Sequence, residues 1–407
     1  MTTAAQPPSG MTPLAFLLSA EGDHWLAEAA GLPLTDKSRL ADLTQLRRGL
    51  PPELAGAVLE QATLRQRGLA KFARAASMLF TPDGLQQASA EPVARHRAAR
   101  FAGRRIVDLT CGIGGDTLAL ATTAESLVAL DRDADRLRIA RHNVAAHDGA
   151  AAFVRADLLA PPLASDPALA FFCDPGRRGA EGRRIFRPED YEPPLDAVLD
   201  HYGGGDLGVK VAPGIDYDAL PENVREVEIV SLGGDVKEAV LWCGGLAMPG
   251  VRRRATLIPE AVTLTDADAP DTCPVGPPNR YLYEPDGAVI RAGLVRPLAH
   301  VLGLAQIDPH LAYLTGPDPV QSPFARGFVV DERHPFNLKA LNRRLSALQV
   351  GTVELKKRGI ALEPEALRPR LKLGGSEART VIFTRLGEEP IMLICRALET
   401  VGPTPTG

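Results

Sequence analysis

The 407-residue sequence contains no run of 18 apolar residues, so it offers no helix of the length needed to span a bilayer. It lacks the charged-then-apolar opening of a secretory leader, and the chain therefore reads as cytoplasmic with no membrane partner. Its five cysteines, at 111, 173, 243, 273 and 395, never form a C-x-x-C pair. That spacing argues against a zinc site or a disulfide framework, so no metal is expected and most thiols read as small core residues. No internal repeat is present. Apolar residues make up 45% of the chain, enough for a sizeable core, and the length allows two or three domains.

The net charge of −4 hides an asymmetry. Arg39 to Arg105 holds 12 Lys/Arg against 5 Asp/Glu, a net +7. Ile106 to Ala325 holds 19 against 32, a net −13, and Arg326 to Arg379 holds 12 against 6, a net +6. Two basic arms flanking an acidic centre suit a polyanionic partner such as RNA. The competing reading is a pair of solvated helix faces that recognise nothing.

The stretch from Val107 to Thr117, VDLTCGIGGDT, organises the rest. Ile106 to Leu109 is a short apolar strand. Gly112, Gly114 and Gly115 make a tight turn, and a helix is predicted from Asp116 to Ala124. A strand, a glycine turn and a helix start leave backbone N–H groups facing whatever lies over the turn, and a Cβ there would keep a ligand away. The next apolar strand, Ser126 to Leu130, ends in Asp131, about 20 residues beyond the turn, where a nucleotide-binding fold places an acid against ribose hydroxyls. Asp157 follows the strand Ala152 to Arg155. Leu169 to Cys173 then runs into Asp174-Pro175. A nicotinamide-dependent fold would need G-x-G-x-x-G, whereas this turn is G-x-G-G.

With these residues in order, the stretch from Phe101 to about Gly245 resembles class I S-adenosylmethionine-dependent methyltransferases. The resemblance implies that Asp108, Thr110, Gly112, Gly114 and Gly115 cradle the methionine part of S-adenosylmethionine. It makes Asp131 the ribose acid and Asp157 the acid near the adenine. Asp174, Pro175 and Arg177 match the start of the fourth motif, facing the methyl group, and are the candidate catalytic residues. The Asp-Pro-Gly-Arg form lacks the second proline and the aromatic residue of amino-nitrogen methyltransferases. It is closer to the Asp-Pro-Pro-Arg of uracil-5 methyltransferases, but Cys243 lacks the context of their nucleophile. The glycine turn is also similar to that of cap-guanine-N2 methyltransferases, so a base in RNA, guanine first, is the expected acceptor.

The expected fold class is α/β: a Rossmann-like seven-stranded methyltransferase core with an N-terminal helical domain and a C-terminal α+β domain. Residues 1–12 read as disordered and 13–100 as helical, with helices from Pro13 to Ala30, Leu40 to Leu50 and Pro52 to Gln66. Residues 101–250 form the core. Residues 251–321 read as a linker and a hairpin whose strands are Tyr281 to Tyr283 and Ala288 to Ile290. The last domain, 322–400, has a helix capped by Asn337, and this basic module resembles THUMP-like domains, which implies RNA binding. Lys71, Arg178, Lys356, Lys357 and Arg358 are the candidate RNA-binding residues, with tRNA or rRNA as partner. A methyltransferase of a small molecule or protein, and an RNA-binding protein that keeps its cofactor pocket without turnover, are the alternative readings.

Overall fold

The computed structural model describes residues 11–162, 166–176, 187–217 and 219–398. The chain divides into two compact units. The first comprises Met1–Val211, Pro221–Val224 and Leu241–Leu246, and the second holds the remainder.

In the first unit, four parallel strands carry the acids noted above. They are β1 (Arg105–Asp108), β2 (Ser126–Asp131), β3 (Ala152–Arg155) and β4 (Leu169–Cys173). β5 (Asp206–Val211) runs parallel to β4. β6 (Val224–Leu232) and β7 (Asp235–Cys243) are joined only by Gly233 and Gly234, both at positive φ, which permits the tight reversal. These are the seven expected strands. The sheet has nine, because β8 (Arg253–Ile258) lies parallel to β6 and β9 (Val262–Thr265) antiparallel to β8. The order is β3-β2-β1-β4-β5-β7-β6-β8-β9. The segment expected to be a linker thus supplies two strands. Arg254 is buried on β8, its guanidinium 2.6 Å from the buried Glu226 carboxylate.

The helices before β1 belong to the same unit as β1 to β5. The single helix expected from Pro13 to Ala30 is two, Pro13–Leu17 and Ala20–Ala30. Ser19 breaks it by accepting from the Gly22 N–H at 3.1 Å as an N-cap. A Cβ on Gly22 would lie 2.1 Å from the Phe16 carbonyl, so glycine is what lets the two helices meet. Phe16, Leu26, Leu54, Val58 and Leu59 form one core with Phe72 and Phe80, and that core continues into Ile113 and Ile139 beside the glycine turn. Burying apolar side chains of this size contributes about 1.5–3 kcal/mol each.

The second unit contains a seven-stranded sheet. Its strands are β10 (Tyr281–Pro285), β11 (Ala305–Gln306), β12 (Leu314–Gly316), β13 (Ala325–Pro335), β14 (Val350–Lys357), β15 (Glu377–Leu386) and β16 (Glu389–Ala397), in the order β11-β12-β10-β13-β16-β15-β14. Ala288 to Ile290, expected as a strand, instead lies in the helix Gly287–Arg291, whose first turn is capped by Asp286. Asn337 caps the helix Leu338–Ala347 as expected, accepting from the Ala340 N–H at 2.9 Å.

This sheet is rolled. Three strands separate β10 from β14, which in a flat sheet would hold them roughly 19 Å apart at ~4.8 Å per strand. Yet the Lys356 ammonium on β14 donates to Glu284 on β10 at 2.6 Å, and Arg326 on β13 makes two 2.8 Å bonds to Glu354 on β14. Inside the roll lie Leu282, Tyr313, Phe328, Ile382 and Leu393, all buried. Side chains therefore close what backbone hydrogen bonds leave open.

Candidate active site

Parallel pairing brings the carboxyl ends of β1 to β4 to one edge of the sheet, the edge at which α/β folds bind ligands. A cleft of about 590 Å³ lies there, within the usual range for small-molecule sites. Thr110, Gly112, Gly115, Asp131, Asp157 and Asp174 all line it.

The glycine turn is tied to its neighbours by backbone. The Cys111 N–H donates to Leu130 at 2.9 Å, and the Leu109 N–H to Phe172 at 2.8 Å. Gly112 has φ +52° and nothing within 4 Å of where a Cβ would sit, so its missing side chain leaves open space over the turn. Gly114 has φ +88°, and a Cβ there would press on the Ala140 backbone at 3.1 Å. Gly114 thus serves packing beneath the turn and is not on the cleft wall.

Asp131 accepts from the Gly112 N–H at 3.0 Å and from the Asp133 N–H at 2.9 Å, one to each oxygen. Each oxygen keeps acceptor capacity for a further donor. Asp157 accepts from the Leu159 N–H at 3.0 Å, and its other oxygen lies 3.9 Å from Arg132. Arg132 also pairs with Glu192, another lining residue, at 2.6 Å. Asp133 caps the helix Ala134–Ala146.

Asp108, expected among the cofactor contacts, is fully buried under the turn and does not reach the cleft. It accepts from the Thr117 hydroxyl at 2.6 Å and the Thr110 N–H at 3.3 Å. Burial pushes its carboxyl up to about 7; the Thr117 bond opposes the shift and the Asp116 charge adds to it. The Asp174 N–H in turn donates to the Thr110 hydroxyl at 2.7 Å. Asp108 therefore acts through Thr110 on the strand end that carries Asp174. Pro175 is buried and off the cleft wall. Arg177 and Arg178 lie outside the described residues.

Three features in and around the cleft were not assigned from the sequence, and Lys71 takes a role other than the expected one. Gly84, Gln87 and Ala88, which precede β1, form one wall. They belong to the helix Pro82–Gln87 and its C-cap, which packs on the turn so closely that a Cβ on Gly84 would meet Ile113 at 2.6 Å. Lys71 holds this wall. Its ammonium donates to the carbonyls of Leu85, Gln86 and Ala88 at 2.8, 3.0 and 2.7 Å, so the charge expected to face RNA is spent inside the protein. Arg97 is buried against Asp116, Ser89 and the Phe172 ring. Burial alone would raise the Asp116 carboxyl, but Arg97, aided by Lys210, holds it below the usual carboxylate range. Lastly, the buried Lys210 on β5 donates to Asp174 Oδ2 at 2.6 Å.

The C-terminal cations expected to bind RNA are likewise paired. Lys356 bridges Glu284 and Glu354, Lys357 lies 2.5 Å from Glu363, and Arg358 stands over the Tyr313 ring beside Glu284.

Two Mycobacterium tuberculosis proteins, from strains CDC 1551 / Oshkosh and ATCC 25618 / H37Rv, are each described as an uncharacterized S-adenosylmethionine-dependent methyltransferase. Each is 44% identical to this chain over 338 residues, covering 81% of it and 92% of the relative. The chain belongs to the S-adenosylmethionine-dependent methyltransferases. Residues 325–397 of this methyltransferase match the family described as THUMP domain-like, and residues 11–68 match a domain of unknown function, DUF8688. A solved structure of a methyltransferase candidate from Porphyromonas gingivalis W83 shares its fold with a TM-score of 0.73 at 22% identity, over 95% of this chain and 98% of that one. The cofactor of the family is S-adenosylmethionine, and the open space over Gly112, with Asp131 beside it and Asp157 also lining the cleft, suits a ligand that brings hydroxyls and an amine.

Proposed function

We propose that this methyltransferase acts on RNA, on a base, with guanine the favoured acceptor. The observation that carries the reading is a cluster of unpaired cations on the module that matches THUMP-like domains. Lys339 and Arg343 lie one turn apart on the helix Leu338–Ala347, on the face that also holds Asn342. Asn342 donates to the Arg370 carbonyl at 3.0 Å and accepts from the Lys372 N–H at 2.8 Å, which holds that loop beside the helix. Lys339, Arg343, Arg370 and Lys372 are all exposed, and among the described residues no carboxylate pairs with any of them. Four free charges from two elements fit a phosphate backbone.

In this reading Asp131 accepts from the ribose hydroxyls, Asp157 from the adenine amine, and the turn at Thr110, Gly112 and Gly115 receives the methionine part. S-adenosylmethionine supplies a methyl group already activated on a sulfonium, so the chain's task is positioning. Asp174 lies at the acceptor end, and Arg177 follows it in the chain as a candidate phosphate or base contact. Labelled S-adenosylmethionine incubated with the protein and a fractionated cell extract tests the assignment. Label in RNA, and in a guanosine nucleoside after digestion, is the expected result. Label confined to protein or small molecules refutes the RNA reading, and cofactor binding without label in any fraction favours a non-catalytic RNA-binding role.

A further inference from the structure

Asp174 and Lys210 form an ion pair whose two ends differ sharply in exposure. The Lys210 side chain is 4% exposed, and that of Asp174 is 21% exposed and faces the cleft. Taking an ammonium out of water costs several kcal/mol, and a buried pair seldom returns that as stability. Among the described residues Asp174 is the only hydrogen-bond partner of Lys210 Nζ. The Asp174 backbone is fixed separately through Thr110. Backbone and one carboxylate oxygen are thus both restrained, and Oδ1 accepts from no described residue.

We propose that Lys210 is a positioning residue for methyl transfer. It holds Oδ2 of Asp174, which fixes the plane of the carboxylate and presents Oδ1 as a hydrogen-bond acceptor to an N–H of the incoming acceptor. The proposal rests on Asp174 marking the transfer site. It also narrows the acceptor to a group that carries a polar proton, which in the base reading above is an N–H. Methylation at an unactivated ring carbon calls for a thiolate nucleophile. Of the five cysteines Cys111 alone lines the cleft, and burial pushes its thiol well up, away from thiolate formation.

The test uses the full chain carrying Lys210→Met, whose apolar side chain fits the site of the lysine stem. A crystal structure should show the Asp174 carboxylate turned from its wild-type rotamer or split between two. Calorimetry should give an S-adenosylmethionine Kd within about threefold of wild type, because Lys210 does not reach the cofactor cleft. Transfer from labelled S-adenosylmethionine should lose about a hundredfold in kcat with KM for the acceptor nearly unchanged, as expected for misplacement of an aligning group. The acceptor is whichever extract fraction the wild-type protein labels, so label in protein instead of RNA would end the RNA reading and still measure Lys210. If wild type labels nothing, the rotamer decides alone. An unmoved carboxylate, a wild-type rate, or an equal loss of cofactor affinity and rate would overturn the proposal. If the Met variant does not fold, Lys210→Gln is the test: its amide can donate to Oδ2 in the lysine's place, so it should keep the wild-type rotamer and most of the rate, and a turned carboxylate with a wild-type rate would overturn the proposal.

Discussion

Replacing Asp108 by Asn should make the first unit more stable at neutral and alkaline pH. The carboxyl is raised from about 3.8 in an unfolded chain to about 7 in the fold, chiefly by burial. A raised carboxyl binds its proton more tightly folded than unfolded, so its contribution is present below about pH 3.8 and is lost as pH rises to about 7. The difference of about 3 pH units corresponds to ~4 kcal/mol at about 1.4 kcal/mol per unit. Asn keeps the shape, and the rotatable Thr117 hydroxyl can accept where it now donates. The variant should therefore match wild type near pH 4 and exceed it by up to ~4 kcal/mol above pH 7, with the gap opening between. Urea unfolding followed by tryptophan fluorescence reports on this unit alone, since the two tryptophans, Trp25 and Trp242, both belong to it. A gap that stays constant from pH 4 to pH 8 would refute the argument, because no group would then titrate differently in the two states.

Further outcomes are expected elsewhere. Asp131→Ala should weaken S-adenosylmethionine binding about ten- to a hundredfold, the loss of ~1.5–3 kcal/mol of charge-assisted hydrogen bonding, measured by calorimetry. Neutralising Lys339, Arg343, Arg370 and Lys372 together should flatten the salt dependence of RNA binding by roughly 0.7 to 0.9 per contact removed, whereas neutralising Lys356 and Arg358 should lower the melting temperature of the second unit and leave the slope nearly unchanged. Glu332 is held down to about 2, first by its hydrogen bonds to Arg344. Its contribution is therefore present above pH 4.5 and lost as pH falls toward 2, and Glu332→Gln should abolish that acid-side limb in an unfolding titration.

The site was legible where chemistry and chain order coincide. The glycine turn, Asp131, Asp157 and Asp174 each follow a short apolar strand, and parallel pairing must bring such strand ends together. Lys210 escaped because nothing local marks a lysine in a strand as buried; its meaning depends on which strand pairs with β4. The wall at Gly84 to Ala88 escaped for a similar reason, since it precedes the nucleotide-binding pattern and joins it only through packing on Ile113. Among the elements, Ala288 to Ile290 combines β-forming Val and Ile, yet the Asp286 cap and the following turn make it helical. β8 was hidden by Arg252-Arg253-Arg254, a charge run that reads as solvated until Glu226 is seen to bury one of its members. Lys356 and Arg358 read as free cations because their acidic partner Glu284 is more than 70 residues away in the chain.

The wall formed by Gly84, Gln87 and Ala88 means that the catalytic module cannot be cut out at its first strand. A chain beginning at Arg105 would keep every signature residue of the nucleotide-binding pattern. It would lose one side of its pocket, the Arg97 clamp on Asp116, and the aromatic core that braces Ile113. The helices ahead of β1 are a structural prerequisite of the candidate cofactor cleft, so recombination that swaps them should be tolerated only when the incoming segment reproduces the contact with the glycine turn.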